Sequence, residues 1–125
     1  MKEFINTQLT LLSPNEGGRS TPLFACAYGE SYRPHIVLGD PNQRKAIVVE
    51  RDGVRNWIEE EYLGVAFFDG PKSDPLPTGE DMIVTMTLCY APSPVYDKVQ
   101  ADATFTLREG GRVIGFGKII RRWKE

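Results

Sequence analysis

The strongest constraint on the fold is a segment, residues 99–120, in which apolar and polar residues alternate on both sides of two adjacent glycines. A period of two places every second side chain on the same face of a β-strand. Paired glycines supply the positive φ angles that a tight turn needs. The segment therefore predicts a β-hairpin that turns at Gly110-Gly111. Two apolar pairs would face each other across it: Leu107 with Ile114, and Phe105 with Phe116.

Shorter alternating runs predict further strands at residues 5–11, 35–38, 46–50, 63–68 and 82–90. Clusters of proline, glycine and aspartate separate them, as in loops. Residues 56–62 are predicted to form one or two helical turns. Gly115 and Gly117 lie inside the returning strand of the hairpin, where glycine marks a bulge or the strong coiling that closes a barrel. The sequence thus predicts an all-β fold, a small antiparallel barrel or sandwich, in a single domain spanning residues 1–125.

The charges are unevenly distributed along the chain. The formal net charge is -2, but residues 50–81 carry nine acidic and three basic side chains, whereas residues 98–125 carry seven basic and three acidic ones. The C-terminal segment is therefore basic and the middle acidic. This pattern suits a polar binding surface, and it is also common on ordinary soluble domains.

Several classes of protein are not expected from the composition. There are two cysteines, Cys26 and Cys89, with no CxxC pair and a single histidine, His35, so no zinc site or other cofactor is predicted. No run of about 18 apolar residues is present, which argues against a membrane span, and we expect a cytoplasmic protein. No phosphate-binding loop of the nucleotide-hydrolase type occurs. Without a recognisable catalytic arrangement, we do not expect an enzyme.

The tetrapeptide Glu-Gly-Gly-Arg occurs twice, at residues 16–19 and 109–112. As a tight turn between two strands, each copy would place a carboxylate and a guanidinium opposite each other beside bare backbone amides. Such a tip suits a phosphate backbone or a loop of a partner. The alternative is a pair of surface turns, each with an ion pair worth about 0 to 1 kcal/mol.

Three ordered motifs resemble the C-terminal domain of elongation factor Tu. They are a Leu-Ser stretch leading to Glu-Gly-Gly-Arg and Thr-Pro-Leu-Phe (residues 12–24), Tyr-Arg-Pro (residues 32–34), and Arg-Glu-Gly-Gly-Arg-Val-Ile-Gly-Phe-Gly (residues 108–117). The similarity covers residues 4–38 and 77–121. It implies a closed barrel of about six antiparallel strands, with an extra acidic, aromatic insertion at residues 50–81.

The resemblance also implies a non-catalytic binding domain. In that family the barrel packs against the GTPase domain and contacts the T-stem of aminoacyl-tRNA, so the implied partners are tRNA or another structured RNA, or a translation GTPase. Carried over, Arg19 and Ser20 would form one contact point, and Glu109 with Gly110 a second. The remaining candidates on the implied surface are Arg33 and Arg112.

This sequence departs from the family pattern in three places. Ser20 stands where the family commonly has histidine, residues 25–31 are inserted before Tyr-Arg-Pro, and residues 35–40 lack the Arg-Thr-Thr-Asp stretch. The acidic middle would repel a polyanion if it lay near the candidate surface. These departures count against RNA as the ligand.

A second hypothesis is a protein-interaction module, such as an immunity or regulatory protein, that uses the barrel as a scaffold. Its predicted surface is aromatic and acidic and is formed by Trp57, Tyr62, Phe67 and Phe68. A hydrolase is the third possibility, and it lacks a recognisable nucleophile and base. The neighbouring residues 59–61, three consecutive glutamates, are interpreted as a solvated face rather than a cation site.

Overall fold

The computed structural model describes residues 2–58 and 60–125; the side chains of residues 51 and 54–58 lie outside that description. The described residues form eight strands: β1 (Glu3–Leu11), β2 (His35–Leu38), β3 (Val48–Arg51), β4 (Val54–Ile58), β5 (Leu63–Asp69), β6 (Asp81–Leu88), β7 (Thr104–Glu109) and β8 (Arg112–Lys124). Six of them close an antiparallel barrel in the order β1-β6-β5-β2-β7-β8, and β3 with β4 forms a separate hairpin. The prediction of an all-β, six-stranded closed barrel is confirmed.

β1 shows how the period-two pattern builds the core. Its alternate residues Ile5, Thr7 and Leu9 are fully buried, as the sequence pattern predicts for an inward face. The hydroxyl of Thr7 donates to the backbone oxygen of Val84 at 2.9 Å, so the one polar side chain among these three has a partner. β1 pairs with β6 on one side and with β8 on the other.

The β7–β8 hairpin turns at the predicted glycines, but its register differs from the prediction by one residue. Leu107 lies opposite Gly115 and Phe105 opposite Gly117, because an irregularity after Leu107 adds a residue to β8. The predicted pairs Leu107–Ile114 and Phe105–Phe116 are therefore wrong. Glycine is required at residue 117 because a Cβ atom there would lie 2.2 Å from the backbone oxygen of Gln8 on β1.

The middle of the chain differs from its prediction in two ways. Residues 54–58 form strand β4 rather than helical turns, and β4 pairs with β3 around a turn at Asp52-Gly53, where both φ angles are positive. Residues 63–69 form β5, which lies between β6 and β2 in the barrel. The segment 50–81 is thus only partly outside the barrel.

The first strand of the C-terminal hairpin, β7, begins at Thr104, not at residue 99 as the sequence pattern predicts.

An irregular segment, residues 29–34, completes the contact between β2 and β5. These two strands pair only at His35 and Ile36. Before them, backbone hydrogen bonds continue along β5, from Phe67 to the oxygen of Tyr32 at 2.9 Å and from Glu30 to the oxygen of Phe67 at 2.7 Å. Residues 25–31 therefore lead directly into the barrel wall.

In the part of the chain that the structure describes, helical structure is confined to three short 3-10 turns at residues 14–16, 25–27 and 94–96. Within the described ranges, no helix has the length and apolar character needed to cross a bilayer.

Candidate functional site

The first Glu-Gly-Gly-Arg segment ends a 3-10 turn instead of joining two strands. The turn covers Pro14–Glu16, and Gly17 follows it with φ of 94°, a left-handed conformation that favours glycine. Gly18 lies against the preceding chain, where a Cβ atom would be 2.0 Å from the backbone oxygen of Leu12. The predicted hairpin at residues 16–19 is therefore wrong. The tight turn instead directs Arg19 toward the end of the barrel at which β7 joins β8.

The second segment is the predicted hairpin turn, with Glu109 directly opposite Arg112. Its carboxylate, however, bonds to a different arginine. Glu109 Oε2 accepts hydrogen bonds from Arg19 Nη1 and from the hydroxyl of Tyr32. The two tetrapeptides thus meet through an ion pair between the arginine of the first and the glutamate of the second.

This ion pair is only partly shielded from water. The side chains of Arg19 and Glu109 are 28% and 31% exposed. Arg19 Nε donates to the backbone oxygen of Thr21 at 2.9 Å, and its guanidinium lies 5.5 Å from the ring centre of Tyr32. Burial alone would lower the pKa of Arg19, but hydrogen bonding to Tyr32 and the charge of Glu109 raise it. Burial, and next the carboxylate of Glu109, raise the pKa of Tyr32. Arg19 is therefore held in place with its charge compensated.

Arg112 lies at the other side of the turn, in a basic environment. Its side chain is exposed, and its backbone forms an isolated β-bridge with Lys45. The guanidinium of the adjacent Arg44 lies 4.7 Å from the ring centre of Phe116 on β8, a cation–π contact. In the described part of the chain, no carboxylate pairs with Arg44, Lys45 or Arg112. We call Arg44, Lys45, Arg112 and Phe116 the basic corner.

The structure brings most, but not all, of the predicted site residues together. Arg19, Glu109, Gly110 and Arg112 cluster at one end of the barrel, and the exposed Ser20 follows Arg19 directly in the chain. Arg33 does not join them. It is exposed, and its Nε donates to the backbone oxygen of Glu30 at 3.1 Å. Tyr32 donates a hydrogen bond to Glu109, and neighbouring residues of an extended chain point to opposite sides. The side chain of Arg33 therefore points away from Glu109.

Sequence reasoning did not identify Arg44, Lys45 and Phe116. The dibasic pair Arg44-Lys45 was the available signal, but it lies between two predicted strands and far in sequence from residue 112. Only the bridge between Lys45 and Arg112 shows that these charges share one surface.

A second ion pair, formed by Arg108 next to Glu109 in the sequence, is almost completely buried. Arg108 Nη1 and Nη2 donate to the two carboxylate oxygens of Glu60 at 2.9 and 3.0 Å. The Arg108 side chain is 0% exposed and that of Glu60 6%. Arg108 also donates to the hydroxyls of Tyr62 and Thr106, while the backbone N–H of Ile47 donates to Glu60. Hydrogen bonds from Arg108 lower the pKa of Glu60 to about 2 despite its burial. This network fixes the loop before β3 to the outside of β7.

The basic C-terminal segment is consequently less basic at the surface than its sequence indicates. Arg108 is neutralised by Glu60. Arg122 Nη2 donates to Glu3 at 2.6 Å and its Nη1 to the backbone oxygen of Tyr96 at 2.6 Å. Arg112 remains exposed at one end of β8 and Lys124 at the other.

The predicted aromatic surface is not assembled. Phe67 is completely buried in the barrel core, because its backbone alternation points it inward. Phe68 is exposed on the opposite face, 5.0 Å from the ring of Phe4. Tyr62 packs against His35 and Arg108, and the side chain of Trp57 lies outside the described residues. Phe67 is therefore wrong as a member of this surface, and the protein-interaction hypothesis stays a prediction.

Of the three consecutive glutamates at residues 59–61, one forms a buried ion pair rather than part of a solvated face. Glu60 pairs with Arg108, Glu61 is exposed, and Glu59 lies outside the described residues. Across residues 2–58 and 60–125, no group of three His, Cys, Asp or Glu side chains is arranged to hold a metal ion.

Comparison with known proteins adds no family assignment. No protein-family model matches the chain, and no curated protein matches its sequence.

Proposed function

We propose that the chain is a non-catalytic binding module that resembles the C-terminal domain of elongation factor Tu and binds the backbone of structured, tRNA-like RNA at its basic corner. The observation that carries the proposal is the exposed set Arg44, Lys45 and Arg112, which has no carboxylate partner in the described residues and lies beside a glycine turn. Phosphates attract such groups without any need for base recognition. A planar guanidinium such as that of Arg112 can donate two parallel hydrogen bonds to one phosphate.

The Arg19–Glu109 ion pair, next to the basic corner, contributes a second group for RNA binding. Both hydrogen bonds to Glu109 end on Oε2, and a carboxylate has further acceptor sites on its other oxygen. Glu109 Oε1 therefore suits a ribose 2′-hydroxyl, the group that distinguishes RNA from DNA. Gly110, which has φ of 55° and no side chain, allows a ligand to approach the backbone closely. Arg19 orients this carboxylate rather than serving as the main phosphate ligand.

A salt series of tRNA binding tests the proposal. The variant Lys45→Ala plus Arg112→Ala removes two positive side-chain charges, so the slope of log affinity against log salt should fall by roughly 1.5, at about 0.7 to 0.9 for each lost phosphate contact. Lys124→Ala is the matched control, because it removes the same type of charge from β8 roughly 40 Å farther along the strand. The control should leave affinity and slope unchanged.

Two results would reject RNA as the ligand: no binding at low salt, or equal effects of the double variant and the control. A duplex DNA of the same length should bind more weakly than RNA if the 2′-hydroxyl is contacted. Docking of a translation GTPase at the same corner is the other interaction that the resemblance implies. It would be assayed next, with the same three substitutions.

A further inference from the structure

A large cleft lies on the side of the 39–47 loop away from the basic corner. It has a volume of about 840 Å³ and is bordered by β2, by this loop and by the loop that contains the 3-10 turn Pro94–Tyr96. Gln43 and Ile47 line the cleft, whereas Arg44 and Lys45 contact Phe116 and Arg112. Its apolar lining consists of Val37, Leu38, Ile47, Leu63, Pro94 and Val95.

One wall of the cleft contains the end of β2, where, among the residues that the structure describes, a single one lacks a partner on the β5 side. Pro34 accepts from Val65 on β5 at 3.1 Å, while Gly39 donates to Thr104 beside β7 at 3.0 Å. Since backbone groups alternate sides along a strand, Leu38 directs its N–H and C=O toward the β5 side, as Pro34 does. In the described residues, however, β2 pairs with β5 only at His35 and Ile36. The backbone of Leu38 therefore faces the cleft, beyond the end of the ladder.

The polar groups at the mouth of the cleft are mainly acidic. Glu61 and Asp97 are exposed there, opposed by Lys98. Glu60 also lines the cleft, but Arg108, Gln43 and the backbone of Ile47 already occupy its carboxylate oxygens. Glu60 thus fixes the wall and leaves Glu61 and Asp97 for an external cation.

Two apolar side chains at the cleft are unusually accessible. Ile47 is 53% exposed and Val95 is 45% exposed, although both lie next to buried residues such as Leu63. A ligand that covers them would gain apolar contact area on both sides of the strand edge.

We infer that this cleft binds an extended segment of a partner protein. The segment adds as a short strand at Leu38, its apolar side chains pack on Ile47 and Val95, and a lysine or arginine lies near Glu61 and Asp97. An open strand edge supplies backbone hydrogen bonds, and pockets for alternate side chains supply specificity. The cleft volume also suits a small molecule, but the N–H and C=O of Leu38 lie side by side as an added peptide strand requires. This inference is independent of the RNA-binding proposal.

The test begins with selection of peptides from a random display library on the whole protein. Selected sequences should alternate apolar residues and contain a basic residue. A synthetic copy of the most enriched peptide is then titrated by fluorescence anisotropy. Val95→Arg, which inserts a charged side chain into the cleft, should weaken its binding at least tenfold, and Glu61→Lys severalfold.

Ile83→Arg is the matched control, because residue 83 is an equally exposed apolar position, 52% accessible, on β6 away from the cleft lining. It should not change the affinity. Thermal unfolding of all three variants checks that the exposed substitutions preserve the fold.

Methylation of single peptide amides gives a readout specific to strand addition. An added strand places the amide of one peptide residue against the backbone of Leu38, so N-methylation should weaken binding at that position and not at the positions next to it. The inference is overturned if no peptide is enriched, if Val95→Arg and Ile83→Arg have equal effects, or if methylation weakens binding equally at neighbouring positions. Lys45→Ala plus Arg112→Ala should leave peptide affinity unchanged, which keeps this result separate from that of the RNA assay.

Discussion

The two Glu-Gly-Gly-Arg segments have identical sequences and different structures. Residues 109–112 form the tight end of the β7–β8 hairpin, with Glu109 opposite Arg112. Residues 16–19 leave a 3-10 turn, and Gly18 lies directly against the backbone of Leu12. The same four residues therefore do not determine a turn type by themselves. The strands or turns on either side decide it.

The difference also explains how the charges are used. In the hairpin, a Cβ atom at the left-handed Gly110 would meet no other atom, and the side chain of Arg112 is exposed. In the first segment, the close contact of Gly18 fixes the chain direction, so that Arg19 reaches Glu109 of the other copy. The residue before each copy differs as well: it is the exposed Asn15 in the first and the buried Arg108 in the second.

The largest expected effect comes from the residues that precede the two copies. Arg108→Ala leaves the buried carboxylate of Glu60 without its cation and should reduce the free energy of unfolding by about 3 to 5 kcal/mol. Asn15→Ala, at the equivalent exposed position, should change it by less than about 0.5 kcal/mol. Urea unfolding measures both. Similar small effects of the two substitutions would show that the Arg108–Glu60 pair does not anchor the hairpin.

Acid should weaken the same anchor selectively. Glu60 has its pKa lowered from 4.5 to about 2, so the stability that its ionisation provides is present above pH 4.5 and is lost as the pH falls through about 2. The shift corresponds to a stability on the order of 3 kcal/mol. The difference in unfolding free energy between the wild type and Glu60→Gln should therefore narrow between pH 5 and pH 2. A constant difference over this range would contradict the assignment.

The glycines provide the next test of the comparison. Gly18→Ala forces a Cβ atom against the oxygen of Leu12 and should cost about 2 to 3 kcal/mol, because backbone cannot move aside as a side chain can. Gly110→Ala has open space and only the left-handed conformation to oppose it, which should cost about 1 to 2 kcal/mol. Thermal or urea unfolding can rank the two variants. A larger loss of stability for Gly110→Ala than for Gly18→Ala would mean that the backbone around Gly18 can shift to accommodate a Cβ atom.

The smallest expected effect concerns the ion pair that joins the copies. A double-mutant cycle of Arg19→Ala and Glu109→Ala should give a coupling energy of about 1 kcal/mol, as for a partly exposed pair. The reciprocal cycle of Glu16→Ala and Arg112→Ala should give a coupling near zero, since Glu16 accepts from Ser13 instead. Equal couplings in the two cycles would indicate general electrostatics rather than one specific contact.

The barrel was largely predictable because its strands are amphipathic in the simplest way. Met82, Val84 and Met86 alternate with more exposed residues and are buried as expected. Gly115 and Gly117 indicate a bulge or strong coiling in the last hairpin, but they do not fix the position of the bulge, so the register of the hairpin was not predictable. Helical turns are predicted for residues 56–62, whereas residues 54–58 form β4, and the Asp52-Gly53 turn before them is a hairpin signal.

The candidate site was predictable where the sequence repeats itself and unpredictable where the fold brings together unlike segments. The repeated tetrapeptide identified Arg19 and Glu109, which do come into contact. It suggested cross-strand pairs within each copy, and the structure shows a pair between the copies instead. Lys45 pairs with Arg112 through an isolated β-bridge that no sequence spacing predicts. The unpaired backbone of Leu38 on β2 can be identified only from the pairing between β2 and β5.

The neighbouring positions of β1 and β8 have a consequence for folding kinetics. β1 lacks one of its two hydrogen-bonded neighbours until β8, more than a hundred residues later in the sequence, has been synthesised. The ladder between them is the longest-range pairing in the barrel, and contacts of such high sequence separation slow folding to the range of milliseconds to seconds. During translation, the exposed edge of β1 is therefore the segment that most needs protection from aggregation.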